Sequence, residues 1–172
     1  MSDDAPLIAT PSQTVGPFFH FGLTARPIHQ MAQRAPAGER LRLRVRVTDG
    51  DGEPVTDALV ELSQSGVFGR MSTDQDGACE FETVRPATGQ TRPAAGPAAH
   101  INVCLFARGL LRQIHTRIYF EDDPSLEQDP TLALVPEDRR RTLLATRDEQ
   151  LDRTWVFEIR LQGARETVFF DV

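Results

Sequence analysis

The chain has 172 residues, 40% hydrophobic and 26% charged, with a net charge of −6. That size and balance describe one domain with a single sizeable core, and they argue against a nucleic-acid partner, whose phosphates an acidic surface repels. No apolar run approaches the roughly 20 residues that span a bilayer. The start, "MSDDAPLIAT", has neither a basic nor an apolar leader stretch, so no secretory signal is expected. Cys79 and Cys104 are accordingly read as reduced thiols of a cytoplasmic chain.

Residues 1–35 form an arm and 36–172 the body. The arm contains "TPSQTVGPFFHFGL", turn formers interleaved with aromatics, without a period. Such an arm packs on its own body or reaches across a partner, and composition favours the first. In "ERLRLRVRVTDGDGEP", Leu41, Leu43, Val45 and Val47 alternate with Arg40, Arg42, Arg44 and Arg46, which predicts a half-buried strand with a basic outer face. "ALVELSQ", "FGRMST" and "ACEFETV" follow as strands, the last two joined by the turn "DQDG". The Pro/Gly/Ala-rich residues 85–99 read as loop. "HINVCLFA" and "LRQIHTRIYF" are strands separated by a turn at "RG". One helix is expected to begin near Pro136, with Glu137 and Asp138 in its first turn. "TWVFEIRLQG" and "ETVFFDV" close the chain as strands. This pattern predicts an all-β fold, an antiparallel β-sandwich with an N-terminal arm and one short helix.

Chemistry-bearing residues are sparse. No phosphate loop, Cys-x-x-Cys pair or nucleophile elbow is present. Among His20, His29, His100 and His115, only His100 adjoins the Gly/Pro-rich loop. His100 and Asn102 share a strand face, where a His-x-His would pair two metal ligands. A catalytic metal usually needs about three protein ligands, and asparagine is a poor one, so the residues alone favour a core histidine over a metal site. The arginine stripe reads as a solvated face.

Five stretches, "TPSQTVGPFF", "FGRMSTDQDGACEFETVRP", "AAHINVCLFARG", "IHTRIYFEDD" and "EIRLQGARETVFFDV", resemble in this order the intradiol ring-cleaving dioxygenases, from Thr10 to Val172. Iron-binding members hold Fe(III) with two tyrosines and a His-x-His pair. His100 matches the first histidine and Asn102 replaces the second. Tyr119, the sole tyrosine, lies downstream of the histidine strand; Pro97 replaces an arginine and Arg117 a glutamine. The resemblance thus makes His100, Asn102 and Arg117 a remnant metal site that binds no metal. Arg117 is expected either to fill the vacated position, hydrogen-bonded to Asn102 or His100, or to turn outward into a surface ion pair.

Within the family the chain is similar to α-type chains, which pair with iron-binding β subunits. The resemblance implies a hetero-oligomer in which the β partner holds the Fe(III) and protocatechuate is cleaved with O2 in aromatic catabolism. This chain would be inactive alone and contribute no catalytic residue. It would supply pocket wall through Thr14, Gly16 and Pro17 of the arm and Arg108 of "FARG". The segment between "VELSQS" and "GVFGR" is shorter than in iron-binding members, which puts some contacts to the partner in question. Rival readings are a non-enzymatic β-sandwich binding module and a solitary member binding iron through unusual ligands.

Overall fold

The structure, a computed structural model, describes residues 9–16, 18–35, 38–86 and 97–171. It is built on eight strands: β1 (Arg40–Thr48), β2 (Leu59–Gln64), β3 (Val67–Ser72), β4 (Ala78–Val84), β5 (Ile101–Phe106), β6 (Ile114–Phe120), β7 (Leu144–Arg147) and β8 (Thr154–Arg160). In β1 the apolar set is buried and the four arginines are exposed, as the alternation dictates. Arg42 and Arg44 lie opposite Glu82 and Glu80 of β4, so cross-strand carboxylates offset part of the stripe's charge. The β2–β3 hairpin turns on Ser65 and Gly66, both at positive φ, the two-residue geometry whose twist suits a hairpin. Gly77 ends the "DQDG" turn at φ +70°, and a Cβ there would stand 2.5 Å from the Val47 carbonyl oxygen.

The strands form one mixed sheet in the order β3-β2-β5-β6-β7-β8-β1-β4. The fold is mostly β, as expected, but it is not uniformly antiparallel: β1 pairs parallel with β8, and β6 with β7. A parallel neighbour requires a long crossover, and residues 121–143 provide it between β6 and β7. The sheet curls until its edge strands β3 and β4 pack beside each other. Residues 28–33 bridge the gap. Ile28 pairs with Arg70 of β3 and Gln30 with Glu82 of β4, while Met31 enters the main core fully buried. This nearly closes the sheet and covers both edges, which would otherwise offer unpaired backbone to other chains.

The main core is filled from inside by every strand, including Leu43, Phe81, Ile101, Ile118, Phe120, Trp155 and Phe157. At one end Arg85 pairs with Asp122 and lies over the rings of Phe120 and Trp155, at 4.8 and 5.2 Å. A second cluster of Ala98, Tyr119, Leu132, Val135 and Leu143 sits outside the sheet, where the 121–143 crossover covers β6.

Helix content differs from the expected single helix. The predicted one is α3 (Glu137–Arg140), with Pro136 at its N-cap rather than inside it; α1 (Phe19–Leu23) and α2 (Pro130–Ala133) are additional. The signal for α2 was local: Asp129 caps it and Pro130 stands first in it. The described residues of "ETVFFDV", 166–171, form no strand. Only Phe170 bridges, to His115, because the segment's groups bond elsewhere: Thr142 Oγ1 accepts from Val168 N, and Thr167 Oγ1 from Arg160 N. Among the described residues no helix is long and apolar enough to cross a membrane.

Candidate functional site

Strand β5 carries a polar group at each end. His100 immediately precedes it and is half-buried. Its Nδ1 lies 2.9 Å from the Ala98 carbonyl oxygen; a carbonyl only accepts, so Nδ1 bears the proton. The ring tilts against Tyr119 with centroids 5.4 Å apart. Asn102 is exposed and lies between Ser63 of β2 and Arg117 of β6.

Arg117 is half-buried, and its hydrogen bonds run to Thr131 and Tyr119 rather than to Asn102 or into a surface ion pair. Its Nη1 donates to Thr131 Oγ1 at 3.0 Å and to Tyr119 Oη at 3.4 Å, and its guanidinium lies 5.5 Å from the Phe170 ring centroid. The second cluster draws it away from Asn102, its direct neighbour in the sheet. Tyr119 is fully buried, and burial pushes its phenol above the ordinary value despite the opposing hydrogen bond from Arg117. Its hydroxyl also donates to Asp129 Oδ1 at 3.4 Å. Asp129, 1% exposed, accepts from Thr131 N and Leu132 N through Oδ1, and from Ala98 N at 2.6 Å through Oδ2.

These residues do not fit a ferric ion. Fe(III) calls for anionic oxygen donors; here an amide and a guanidinium flank the one histidine, and the nearby phenol is held protonated. Among the described residues no group of three or more His, Cys, Asp or Glu side chains is placed to hold a metal.

Beyond the other end of β5, Gly109 turns the chain at φ +90°. Its N–H donates to Thr14 Oγ1 at 3.0 Å, tying the arm to this turn. Arg108, whose side chain is 59% exposed, pairs through Nε with the Asp57 carboxylate. Gly16 sits at φ +68° with open space around it, so its backbone rather than crowding disfavours a side chain. Pro17 lies outside the described residues. Gln13 and Val15 of the arm and Phe106, Leu110 and Leu111 of the turn line a cleft of about 170 Å³. Val15, Phe18 and Leu111 are exposed.

The structure therefore brings Thr14 to the Arg108 turn, and His100, Asn102 and Arg117 onto one face, but keeps the two groups apart. Eight residue steps, through the whole of β5, separate His100 from Arg108, at most roughly 26 Å at strand rise. Asp57, Asp129 and Thr131 were not singled out by the sequence, and Tyr119 was noted only as the sole tyrosine. The Asp129-Pro130 pair was a usable signal for a cap; nothing local marked Asp57.

No family model matches the chain. Its structure is similar to hydroxyquinol 1,2-dioxygenase from Pseudomonas putida DLL-E4, with a TM-score of 0.62 at 23% identity, covering 91% of this chain and 68% of that one. It is also similar to an intradiol ring-cleavage dioxygenase from Tetranychus urticae, with a TM-score of 0.63 at 16% identity, covering 94% and 99%. At these identities the likeness defines a class by fold alone, that of the intradiol dioxygenases. Sequence relatives narrow it. The protocatechuate 3,4-dioxygenase alpha chain of Burkholderia cepacia is 41% identical, over 95% of this chain and 97% of its own length. That of Pseudomonas putida is 35% identical, over 94% and 96%. The beta chain from Burkholderia cepacia is 29% identical over 77% of this chain. The chain belongs to the intradiol ring-cleaving dioxygenases, in the group of protocatechuate 3,4-dioxygenase alpha chains.

Proposed function

We propose that this chain is the non-iron-binding α subunit of a protocatechuate 3,4-dioxygenase, active only with an iron-bearing β subunit. The reaction is intradiol cleavage of protocatechuate by O2 to 3-carboxy-cis,cis-muconate. Fe(III) and the oxygen chemistry belong to the partner. This chain shapes and charges the mouth of the partner's pocket, with residues 1–35 as an arm and 36–172 as the body. Its two unpaired cysteines suit a reducing, cytoplasmic setting.

One observation carries this reading: the hydrogen bond from Gly109 N to Thr14 Oγ1. It ties Thr14, two residues before Gly16, to the turn that carries Arg108, which supports reading arm and turn as a single surface from residues far apart in sequence. Exposed Val15 and Leu111 give that surface an apolar rim suited to a partner's contact. The net charge of −6 repels the substrate carboxylate, and a local guanidinium offsets that field while offering two parallel donors. Thr14, Gly16 and Pro17 then bound the pocket and help keep water out.

The test is co-expression with an iron-binding β chain, followed by sizing, iron analysis and oxygen uptake with protocatechuate. One larger species with about one iron per αβ pair is expected. A β chain that is fully active alone, with this chain eluting separately, overturns the reading.

A further inference from the structure

A second surface, sharing no residue with the arm cleft, lies on the outer face of β7, β8 and β1. There the charge pattern of β1 changes. Arg42 and Arg44 stand opposite glutamates of β4, whereas Arg46 stands opposite Ala78 there and has Glu158 of β8 on its other side. At that point Arg141, Arg160 and Arg165 converge from three other parts of the chain on an open cleft of about 720 Å³. Glu158 is the one carboxylate among the residues lining it, so four arginines leave a local excess of three positive charges in a chain of net −6.

These cations are largely unspent. Arg46 gives its Nε to the Asp76 carbonyl oxygen at 3.3 Å. Among the described residues the side chains of Arg141, Arg160 and Arg165 have neither an ion pair nor a hydrogen bond. Such a concentration of like charge repels itself, by an amount that a ligand of opposite sign would recover. The cleft's half-buried Leu144 and Val156 lower the local dielectric and strengthen any pair formed over them. A second cleft, sharing Arg46, Val156 and Glu158, continues across the strands to Arg44 and Asp76, so the feature is elongated and its excess stays at three positive charges.

We infer that this face docks an acidic, extended segment of a partner polypeptide, its carboxylates paired with Arg46, Arg141, Arg160 and Arg165. The shape favours a chain over a small anion, because an open cleft gives one anion only screened contacts, whereas a segment engages several cations at once. The acidic remainder of the protein opposes a nucleic acid, whose charge runs on past the patch. The inference is independent of the substrate pocket, since the surface lies outside it.

The probe is fluorescein-labelled decaglutamate, titrated by anisotropy with the full chain at about 50 mM salt, where screening is modest. Binding is expected for decaglutamate and not for decaglutamine. The pair Arg141→Ser and Arg160→Ser should weaken it at least about ten-fold. The control pair Arg40→Ser and Arg42→Ser, on the same stripe outside the cleft, should change it less than about two-fold. Arg165→Glu, alone on an exposed turn, provides a second variant that leaves packing untouched and should also weaken binding several-fold. Absence of binding, or equal losses from both serine pairs, overturns the inference. So does displacement by citrate at equal carboxylate concentration, which would assign the cleft to a small anion. Tighter binding of a single-stranded decadeoxynucleotide through the same arginines overturns it in favour of nucleic acid. Self-association abolished by the same serine pair overturns it in favour of a second copy.

Discussion

Asp129→Ala should be among the more destabilising single changes outside the main core. The carboxylate is buried and serves two backbone sites at once, besides accepting from the Tyr119 hydroxyl. Through Oδ1 it caps α2 at Thr131 N and Leu132 N; through Oδ2 it accepts from Ala98 N. Loss of an N-cap costs about 1 kcal/mol. Ala98 is 1% exposed, so its orphaned N–H adds about 1–3 kcal/mol. The sum is about 2–4 kcal/mol, which at this chain length lowers Tm by roughly 5–15 °C. Asp129→Asn retains an acceptor for the cap but presents an NH2 group where Ala98 N needs an oxygen, so it should cost about half as much. Urea unfolding followed by circular dichroism reads both, with the denaturant slope checked for constancy. A loss under about 1 kcal/mol for alanine would show that Ala98 N finds another acceptor and that the carboxylate's double role is wrong.

In the αβ enzyme, Arg108→Ala should raise KM for protocatechuate about five-fold, since a rim contact half-compensated by Asp57 is worth at most ~1 kcal/mol. Catechol, which lacks the carboxylate, should change much less; equal losses for the two refute a charge-specific role. The isolated chain should be colourless and hold far less than one iron per chain by elemental analysis, and Asn102→His should not restore iron, because no anionic oxygen donor would accompany the new imidazole. The hydrogen bond and charge of Arg85 hold the Asp122 carboxyl below the usual carboxylate range. A depressed folded-state value stabilises above the unfolded pKa, near 3.9, and that contribution disappears as pH falls through the folded value. Asp122 is half exposed, so Asp122→Asn should cost less than about 1 kcal/mol at pH 7, and the difference from the parent should vanish in acid melts. A deficit that persists in acid would point to packing instead.

Much of the sheet was legible because one buried face imposes a period of two. The alternation of β1 and the turn at Gly77 that joins β3 to β4 follow directly from that period and from turn chemistry. Strand direction was not legible: alternation is the same in parallel and antiparallel neighbours, so the β1–β8 and β6–β7 pairings had no local signature. For the candidate site, the shared strand face of His100 and Asn102 was readable from their spacing of two. Its hydrogen bonds were not, because Thr131 and Asp129 arrive from a crossover whose path is set by tertiary burial of Tyr119. The pairing of Arg108 with Asp57 likewise depends on contact between distant turns, which no window of sequence contains. The C-terminal segment misled because its apolar run Val168–Phe170 suits a strand, while here Val168 and Phe170 pack on the outer cluster and Phe169 on the main core, from a segment with a single bridge.

That C-terminal attachment sets the order in which the molecule opens. Residues 167–171 are held at separate points: one bridge to His115, the hydroxyls of Thr142 and Thr167, and Val168 and Phe170 lodged in the outer cluster. No continuous ladder makes these points fail together, whereas β1 is zipped between β4 and β8 along most of its length. Peeling the tail therefore forms a small cooperative unit that detaches while the barrel-like sheet stays shut. Each such breath uncovers Arg117, which has the Phe170 ring beside it in the closed form. Amide protons of the tail should consequently exchange with solvent well before those of β1.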